Sequence, residues 1–183
     1  MAFPTTRMRR LRRSPGMRRL VREHRVDPGD LIQPLFVHAH EGASPIPSMP
    51  GQDHLSVALV AERAAALHAA GVPAVLLFGL PDHKDEAASA AYDEDGVVQA
   101  AVRAVKAAAP ELILATDVCL CQYTSHGHCG VLRDGDVDND ATLELLSETA
   151  VSHAAAGARR WLASSRPLII LPADRRPRFQ CIR

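Results

Sequence analysis

The polar and apolar residues of this 183-residue chain alternate in a pattern that predicts three successive strand, loop and helix units. Short apolar runs of strand length are followed by longer, alanine-rich stretches in which apolar residues recur at helical spacing. Such units build a parallel sheet with right-handed crossovers, so the pattern predicts an α/β fold. The predicted strands are 31–37, 74–79 and 112–115, and the predicted helices are 55–70, 97–109 and 143–156.

Turn-forming residues mark the boundaries of these elements. Gly71 and Gly157 follow helical stretches, where glycine commonly ends a helix, and Pro110 closes the second helix. Asp140 or Thr142 is expected to cap the third helix. The prolines of residues 44–51 predict a loop.

Two groups of polar residues are assigned no chemistry at this stage. Four aspartates alternate before the third helix without the glycine and glutamate spacing of a calcium loop, so we expect a solvated loop there. Three scattered histidines near the first strand are expected to be solvated as well. The residues are Asp134, Asp136, Asp138 and Asp140, and His38, His40 and His54.

Composition places the chain among ordinary globular proteins, with 47% hydrophobic and 23% charged residues, and one domain is the default for its length. The net charge of zero hides an asymmetry. Residues 7–25 hold nine arginines against one glutamate, and residues 159–183 hold seven arginines against one aspartate. The body between them is acidic, so we expect self-association.

Location follows from what the chain lacks. Its apolar stretches are too short to span a membrane, and its arginine-rich start has no secretory apolar segment, which indicates the cytoplasm. Three of the four cysteines are clustered and Cys181 stands near the end, which is not a disulfide framework. Reduced thiols suit a metal site in that compartment.

The cysteine cluster carries the strongest chemical signal. Cys119, Cys121 and Cys129 supply three soft ligands, which favour zinc over calcium or magnesium and leave a fourth position open for water or substrate. The alternative is that they are small buried hydrophobic residues. His126 and His128 lie in the same loop, either as a fourth ligand or in roles beside the ion or the substrate.

The predicted geometry of this loop follows from its position after the third strand. Residues two apart in an extended segment share a face, so Cys119 and Cys121 can reach one ion. Cys129 returns through turns at Gly127 and Gly130. The site is therefore expected just past the carboxyl end of the strand.

Residues 117–130 read D-V-C-L-C-Q-Y-T-S-H-G-H-C-G, which resembles the zinc-binding signature of the porphobilinogen synthase family, also called delta-aminolevulinic acid dehydratase. The resemblance implies that Cys119, Cys121 and Cys129 hold an active-site Zn²⁺ and that Asp117 is a catalytic carboxylate. It implies condensation of two 5-aminolevulinate molecules to porphobilinogen, an early step of haem and other tetrapyrrole biosynthesis. It also implies a (β/α)₈ TIM barrel with the site at the carboxyl ends of its strands.

Other segments extend the resemblance. Residues 48–51 match the family's S-M-P-G, and residues 78–85 match its F-G-x-P-x-x-K-D, although Ala88 stands where the family usually has a glycine before the serine. The arginine-rich start resembles the family arm that embraces a neighbouring subunit in a homo-oligomer. The short segment 17–23 within it is expected to be helical.

These matches suggest three regions. Residues 1–30 form an oligomerisation arm, 31–158 form about three βα units of a partial TIM barrel, and 159–183 form a tail without family resemblance. The tail's composition suggests a frameshift or a truncated gene model, although 167–172 is apolar enough to act as a fourth strand.

The lysines limit the expected activity. The family's Schiff-base lysines lie on later strands, and only Lys84 and Lys106 are present here. Lys84 is surrounded by acidic residues and is expected in a surface ion pair, and Lys106 is expected to face away from the strand ends. An inactive fragment is therefore expected. The alternatives are a structural zinc or interaction module and, disfavoured by the lack of aromatics in the arm, a nucleic-acid binder.

Overall fold

The computed structural model describes residues 9–158 and the backbone of 160–162. The strands of these described residues are β1 (Ile32–His38), β2 (Ala43–Pro45), β3 (Asp53–Leu55), β4 (Ala74–Leu80), β5 (Ile113–Asp117), β6 (Val131–Arg133), β7 (Asp136–Asp138) and β8 (Arg160–Leu162). In the described part of the chain they form a six-stranded sheet with the order β2-β3-β1-β4-β5-β8 and a separate hairpin of β6 and β7. All neighbours in the larger sheet are parallel except β2 and β3.

Within the described ranges, four α-helices accompany the strands, and three of them follow β3, β4 and β7. The predicted α/β fold with parallel strands and helical crossovers is confirmed. No helix of the described residues is both long enough and apolar enough to cross a bilayer. The helices are α1 (Pro15–Leu20), α2 (Val57–Ala69), α3 (Val97–Ala108) and α4 (Asn139–Ala156).

The main core lies between the sheet and α2 and α3. Three valines and one alanine at helical spacing on α3 are all buried, because a helical stripe of small apolar residues can approach a sheet closely. Alternate residues of β1, β4 and β5 meet them. The core residues from α3 are Val98, Ala101, Val102 and Val105, and those from the strands are Leu35, Val37, Val75, Leu77 and Leu114.

The opposite side of the sheet, the front face, carries the intervening residues. Phe36 and Phe78 stack there in register, with ring centroids 5.4 Å apart. Because Leu76 of β4 pairs with Ala115 of β5, strand alternation puts Asp117 on the same face. The carboxyl ends of β1, β4 and β5 therefore present their front-face side chains to one region.

Several predicted boundaries were wrong. Leu55 belongs to β3 rather than to a helix, and α2 starts after Ser56, whose hydroxyl accepts a hydrogen bond from the amide of Leu59 at 3.4 Å. Part of the predicted 44–51 loop is β2. It pairs with β3, which is too short to give an alternating pattern.

The cap of α4 also differs from the prediction. Asp138 Oδ1 accepts a hydrogen bond from the Ala141 amide at 3.2 Å, so the helix begins at Asn139. Thr142 cannot cap it because its hydroxyl donates to the carbonyl of Asp138 within the first turn. The aspartates before the helix were predicted as a solvated loop, but Asp136 and Asp138 are the ends of β7.

Pro34 lies inside a strand of the main sheet without disrupting it. Its neighbour on one side is Leu76 of β4, and β3 pairs only with Phe36 and Val37 on the other side. The carbonyl of Pro34 accepts from the side chain of Gln33 at 2.9 Å. Proline is tolerated where the strand has no ladder partner.

The described part of the arm is exposed. Helix α1 begins at Pro15, earlier than predicted, because Ser14 caps it by accepting from the Met17 amide at 3.2 Å. It ends at Leu20, so the predicted helix over 17–23 is too long. Neither α1 nor the 3₁₀ turns Arg9–Arg12 and Pro28–Asp30 bury a residue. The arm is therefore held by few contacts within this chain.

Strand β8 extends the sheet beyond β5 in parallel, with Arg160 opposite Ala115. A further parallel strand, the fifth after β1, β3, β4 and β5, thus starts soon after α4, where a βα repeat requires it. The apolar run 167–172, considered above as a fourth strand, lies outside the described residues.

Candidate metal centre

Three thiols converge directly after β5. The Sγ atom of Cys119 lies 3.3 Å from that of Cys121 and 3.4 Å from that of Cys129. All three sulfurs are within 4.8 Å of one another, and none is in a disulfide. Cys119 is buried, Cys121 is half-buried and Cys129 is exposed. Three soft donors thus meet at one point, as the sequence predicted.

The reason they meet differs from the prediction. The chain does not stay extended after β5 but turns at Leu120, whose carbonyl accepts from the amides of Tyr123 at 2.8 Å and Thr124 at 2.9 Å. Leu120 and Val118 are buried and hold the turn against the body of the protein. The turn, rather than strand alternation, brings Cys119 and Cys121 together.

The return of the loop to Cys129 is fixed by two contacts. Thr124 Oγ1 donates to the carbonyl of His128 at 2.9 Å, and Gly127 takes the left-handed conformation with φ +75°. After Cys129, a Cβ on Gly130 would overlap Thr142 of α4, and the amide of Val131 donates to Thr142 Oγ1 at 3.0 Å. Helix α4 therefore anchors the segment that carries the exposed ligand.

The loop after β4 is bound to the cysteine loop. The Asp85 amide donates to the Tyr123 carbonyl at 3.2 Å, and the Ser125 amide donates to the Asp85 carbonyl at 2.9 Å. The Asp85 carboxylate accepts from both the amide and the hydroxyl of Ser89, and these bonds lower the pKa of Asp85. Asp85 and Ser89 are structural residues of the site that the sequence analysis did not identify.

Two small residues shape this region. A Cβ on Gly79 would overlap Val98 and the hydroxyl of Tyr123, which explains the glycine of the F-G segment physically. Ala88 has φ 54° and ψ 36°, the left-handed conformation that glycine adopts most easily. The left-handed conformation therefore falls on the residue before Ser89, where the sequence resemblance led us to expect glycine.

The thiols of Cys121 and Cys129 resist ionisation when no cation is near. Burial raises the pKa of Cys121 to about 12, and the neighbouring Cys119 and Cys129 add to the effect. Burial and the contact with Cys119 also raise the pKa of Cys129. A bound cation would reverse this balance, because it favours the thiolate form of its ligands.

Asp117 ends β5 on the front face, two residues before Cys119. It is 7% exposed; its Oδ2 accepts from Gln122 Nε2 at 3.0 Å, and its Oδ1 is buried without a partner in the described part of the chain. Burial raises its pKa to about 6, against the smaller lowering by Gln122. The sequence analysis did not identify Gln122; its only signal was its place within the cysteine loop.

The two histidines of the loop lie beside each other rather than among the sulfurs. Their ring centroids are 5.5 Å apart, and the His128 amide donates to His126 Nδ1 at 3.2 Å. Neither belongs to the group of three converging donor atoms. The hydrogen bond from the His128 amide occupies Nδ1 of His126.

The lysines do not enter the site. Lys84 is exposed, and the ion pairs of the described residues do not include it, so the predicted surface ion pair was wrong. Its acidic neighbours are engaged elsewhere, Asp82 with His40 and Asp85 with Ser89. Lys106 donates to the carbonyl of Pro110, before β5, and so lies at the other end of the strand from the cysteines.

A family model described as delta-aminolevulinic acid dehydratase matches residues 5–167. The chain belongs to the delta-aminolevulinic acid dehydratase family. It is 53% identical over 161 residues to the delta-aminolevulinic acid dehydratase of Methanothermobacter thermautotrophicus. The matched region covers 86% of this chain and 49% of that protein. The corresponding protein of Bacillus subtilis is 46% identical over 159 residues, with 86% and 49% covered.

A solved structure supports the same family membership. The crystal structure of delta-aminolevulinic acid dehydratase (porphobilinogen synthase) from Toxoplasma gondii, in complex with the reaction product porphobilinogen, superposes with a TM-score of 0.76 at 41% identity. It covers 85% of this chain and 46% of that one. The chain thus spans about half the length of the delta-aminolevulinic acid dehydratases that it matches. Its parallel sheet and crossovers agree with the predicted partial barrel of this family.

Proposed function

We propose that this chain carries the metal-binding part of a porphobilinogen synthase, which condenses two 5-aminolevulinate molecules to porphobilinogen in haem and tetrapyrrole biosynthesis. The observation that supports this most strongly is the convergence of three thiols beside a buried carboxylate at the carboxyl end of β5. Family membership supplies the reaction, and the product named for the Toxoplasma gondii structure is that of the proposed condensation.

The donor set fits zinc. Three sulfur donors suit a borderline-soft ion, and three protein ligands leave one position for water or substrate. Cys119, Cys121 and Cys129 would hold the ion. When bound, zinc would act as a Lewis acid that polarises a substrate oxygen.

Asp117 is suited to proton transfer. A carboxyl group with a pKa of about 6 is divided between its two protonation states near neutral pH, so it can both accept and donate a proton at small cost. Gln122 holds Oδ2, whereas Oδ1 is buried without a partner among the described residues, so Oδ1 is the oxygen left to exchange a proton. The role of this chain's residues is therefore to orient one carboxylate beside the ion.

We do not expect the 183 residues alone to catalyse this condensation. Lys106 is bonded at the amino end of β5, away from the thiols, and Lys84 is exposed rather than enclosed with a substrate, so we expect neither to form the imine. The test is to incubate the zinc-loaded chain with 5-aminolevulinate, to assay porphobilinogen, and to trap imines with borohydride for mass spectrometry. Turnover above the buffer control, or a substrate adduct on either lysine, would contradict this.

The N-terminal arm, residues 1–30, has features that favour assembly with other copies of the chain. Its basic charge, its exposed apolar side chains and the absence of buried residues in its described turns favour packing on another copy of the acidic body. We include a homo-oligomer and a cytoplasmic location in the proposal, the latter because the three thiols must stay reduced.

A further inference from the structure

Three histidines that the sequence analysis left without a role gather at the carboxyl ends of β1 and β3. His38 is the last residue of β1, His40 follows it by two residues, and His54 lies in β3 opposite Phe36. Strand alternation puts His38 on the front face with Phe36, and register puts His54 beside them. The sheet thus brings residues 16 positions apart in sequence to one point.

His38 is not the solvated residue that was predicted. It is 7% exposed, and its Nδ1 is buried with no hydrogen-bond partner among the described residues. A buried polar atom without a partner costs free energy, so such an atom in a polar cluster points to a missing ligand.

The ring separations suit a shared ion. The His38 and His40 centroids are 5.4 Å apart, and those of His38 and His54 are 6.4 Å apart. With metal–nitrogen bonds of about 2.0 to 2.1 Å, two imidazoles on one ion place their centroids about 5 to 6 Å apart. His38 and His40 already fit, and His54 needs a small approach.

Asp82 adds a feature typical of metal sites. Its Oδ1 lies 3.2 Å from His40 Nε2, with the His40 side chain 75% exposed. A carboxylate on one ring nitrogen fixes the tautomer and leaves the other nitrogen as a donor, as in many carboxylate–histidine–metal arrangements. Among the described residues, only the three cysteines already bring three donor atoms within 4.8 Å, so the more distant His54 ring must approach the other two to complete the set.

We propose that His38, His40 and His54 form a second metal site, for a borderline divalent ion such as Zn²⁺, Co²⁺ or Ni²⁺, with Asp82 orienting His40. Imidazole nitrogen is a preferred donor for these ions. The three histidines lie on or just after β1 and on β3, whereas the thiols follow β5 on the other side of β4, so the two sites share no residue. It does not rest on the proposed condensation, and its failure would leave that proposal intact.

The test uses Ni²⁺ and the untagged full-length chain. The background variant carries serine at Cys119, Cys121 and Cys129, and glutamine at His126 and His128, so that the cysteine loop is silenced. Isothermal titration should then show one Ni²⁺ per chain. His40→Gln and His54→Gln should each weaken binding at least tenfold, and the matched control His68→Gln, an exposed helix histidine, should leave it unchanged.

Folding is checked by circular dichroism. His40 is exposed, so its replacement is not expected to disturb the fold, and His38→Asn provides a third variant at the buried position. A second measurement uses the chain with its cysteine loop intact. There, the single substitution His40→Gln should remove one class of Ni²⁺ site and retain the other. The proposal is wrong if the folded background binds no stoichiometric Ni²⁺, or if either His40→Gln or His54→Gln binds it as well as the His68→Gln control.

Discussion

Gln122 holds one oxygen of Asp117 at 3.0 Å and leaves the other buried without a partner in the described structure. The hydrogen bond favours the ionised carboxylate, whereas burial disfavours it more strongly, so the pKa of Asp117 is raised to about 6. A single amide group therefore moderates the protonation of the carboxyl group closest in sequence to the thiols.

Replacing Gln122 by leucine should raise the pKa of Asp117 further above 6, because the hydrogen bond that lowers it is lost while burial remains. The carboxyl ¹³C shift of Asp117, followed against pH in the metal-free chain, measures this. Gln52→Leu is the control, since Gln52 is half-buried and bonds Gln33 instead. An unchanged or lowered pKa in Gln122→Leu would contradict the assignment.

One zinc should bind per chain through the three thiols, and serine at Cys119, Cys121 or Cys129 should abolish tight binding. Cys181→Ser is the matched control and should retain the ion. Elemental analysis after dialysis measures the stoichiometry, and a triple-serine chain that keeps one zinc would show the assignment to be wrong.

Zinc affinity should fall steeply as pH falls. Burial raises the pKa of Cys121 and of Cys129, so binding must displace at least two protons. Two released protons weaken the apparent affinity about 100-fold for each pH unit lost. Competition with a chromophoric chelator between pH 6 and 8 measures the slope, and a slope near zero would indicate that these thiols are not the ligands.

Glycine at Ala88 should cost less stability than glycine at Ala91. Both methyl groups are buried in one cluster, with 0% and 1% exposure, but only Ala88 has a positive φ. Relief of the left-handed conformation is worth roughly 1 to 2 kcal/mol, whereas the lost methyl and the added chain entropy are common to both variants. Urea unfolding gives the difference, and equal losses would mean that Ala88 is not strained.

His153 should make the chain less stable as pH falls. It is fully buried, its Nδ1 lies 3.0 Å from Thr116 Oγ1, and burial lowers its pKa to about 4 from 6.5. The unfolded chain therefore binds more protons between those values, so the free energy of unfolding falls by up to roughly 3 kcal/mol from pH 6.5 to pH 4.

The slope of the free energy of unfolding against pH should be smaller in His153→Gln and unchanged in His68→Gln. Protonation of Asp117, whose pKa is raised, changes this free energy in the opposite direction. Because it does so equally in every variant, its contribution cancels when the variants are compared. Urea unfolding at a series of pH values measures this, and parallel curves for all three chains would rule out the role of His153.

Aspartate at both Leu20 and Val26 should reduce self-association. Each side chain is 76% exposed on the arm, so the monomer loses little by the change while an apolar contact is removed. Light scattering at micromolar concentration measures the assembly, with Val151→Asp on α4 as the control. An unchanged mass would show that the arm does not hold the assembly together.

The sequence predicted the elements with long, regular patterns and failed at short ones. The stripe of α3 identified the helix because helical spacing repeats over its 12 residues, and the apolar run 74–79 nearly matched β4 because an unbroken apolar run is typical of a buried strand. Strands of three residues, such as β2 and β3, cannot show a period. Their pairing is decided by the rest of the sheet.

The site, like the fold, was predicted where a local pattern existed and missed where tertiary contacts decide the structure. Residue types and spacing identified Cys119, Cys121 and Cys129, since few patterns gather three thiols. Spacing could not show that Leu120 turns the chain, that Gln122 returns to Asp117, or that β1 and β3 bring His38 near His54. These relations depend on tertiary register, which no local pattern encodes.

The exposure of the three thiols also sets an order of events in time. Cys129 faces solvent, Cys121 is partly covered and Cys119 is enclosed. An external thiol or chelator therefore reaches the ion first at the Cys129 sulfur, and exchange proceeds inward from there.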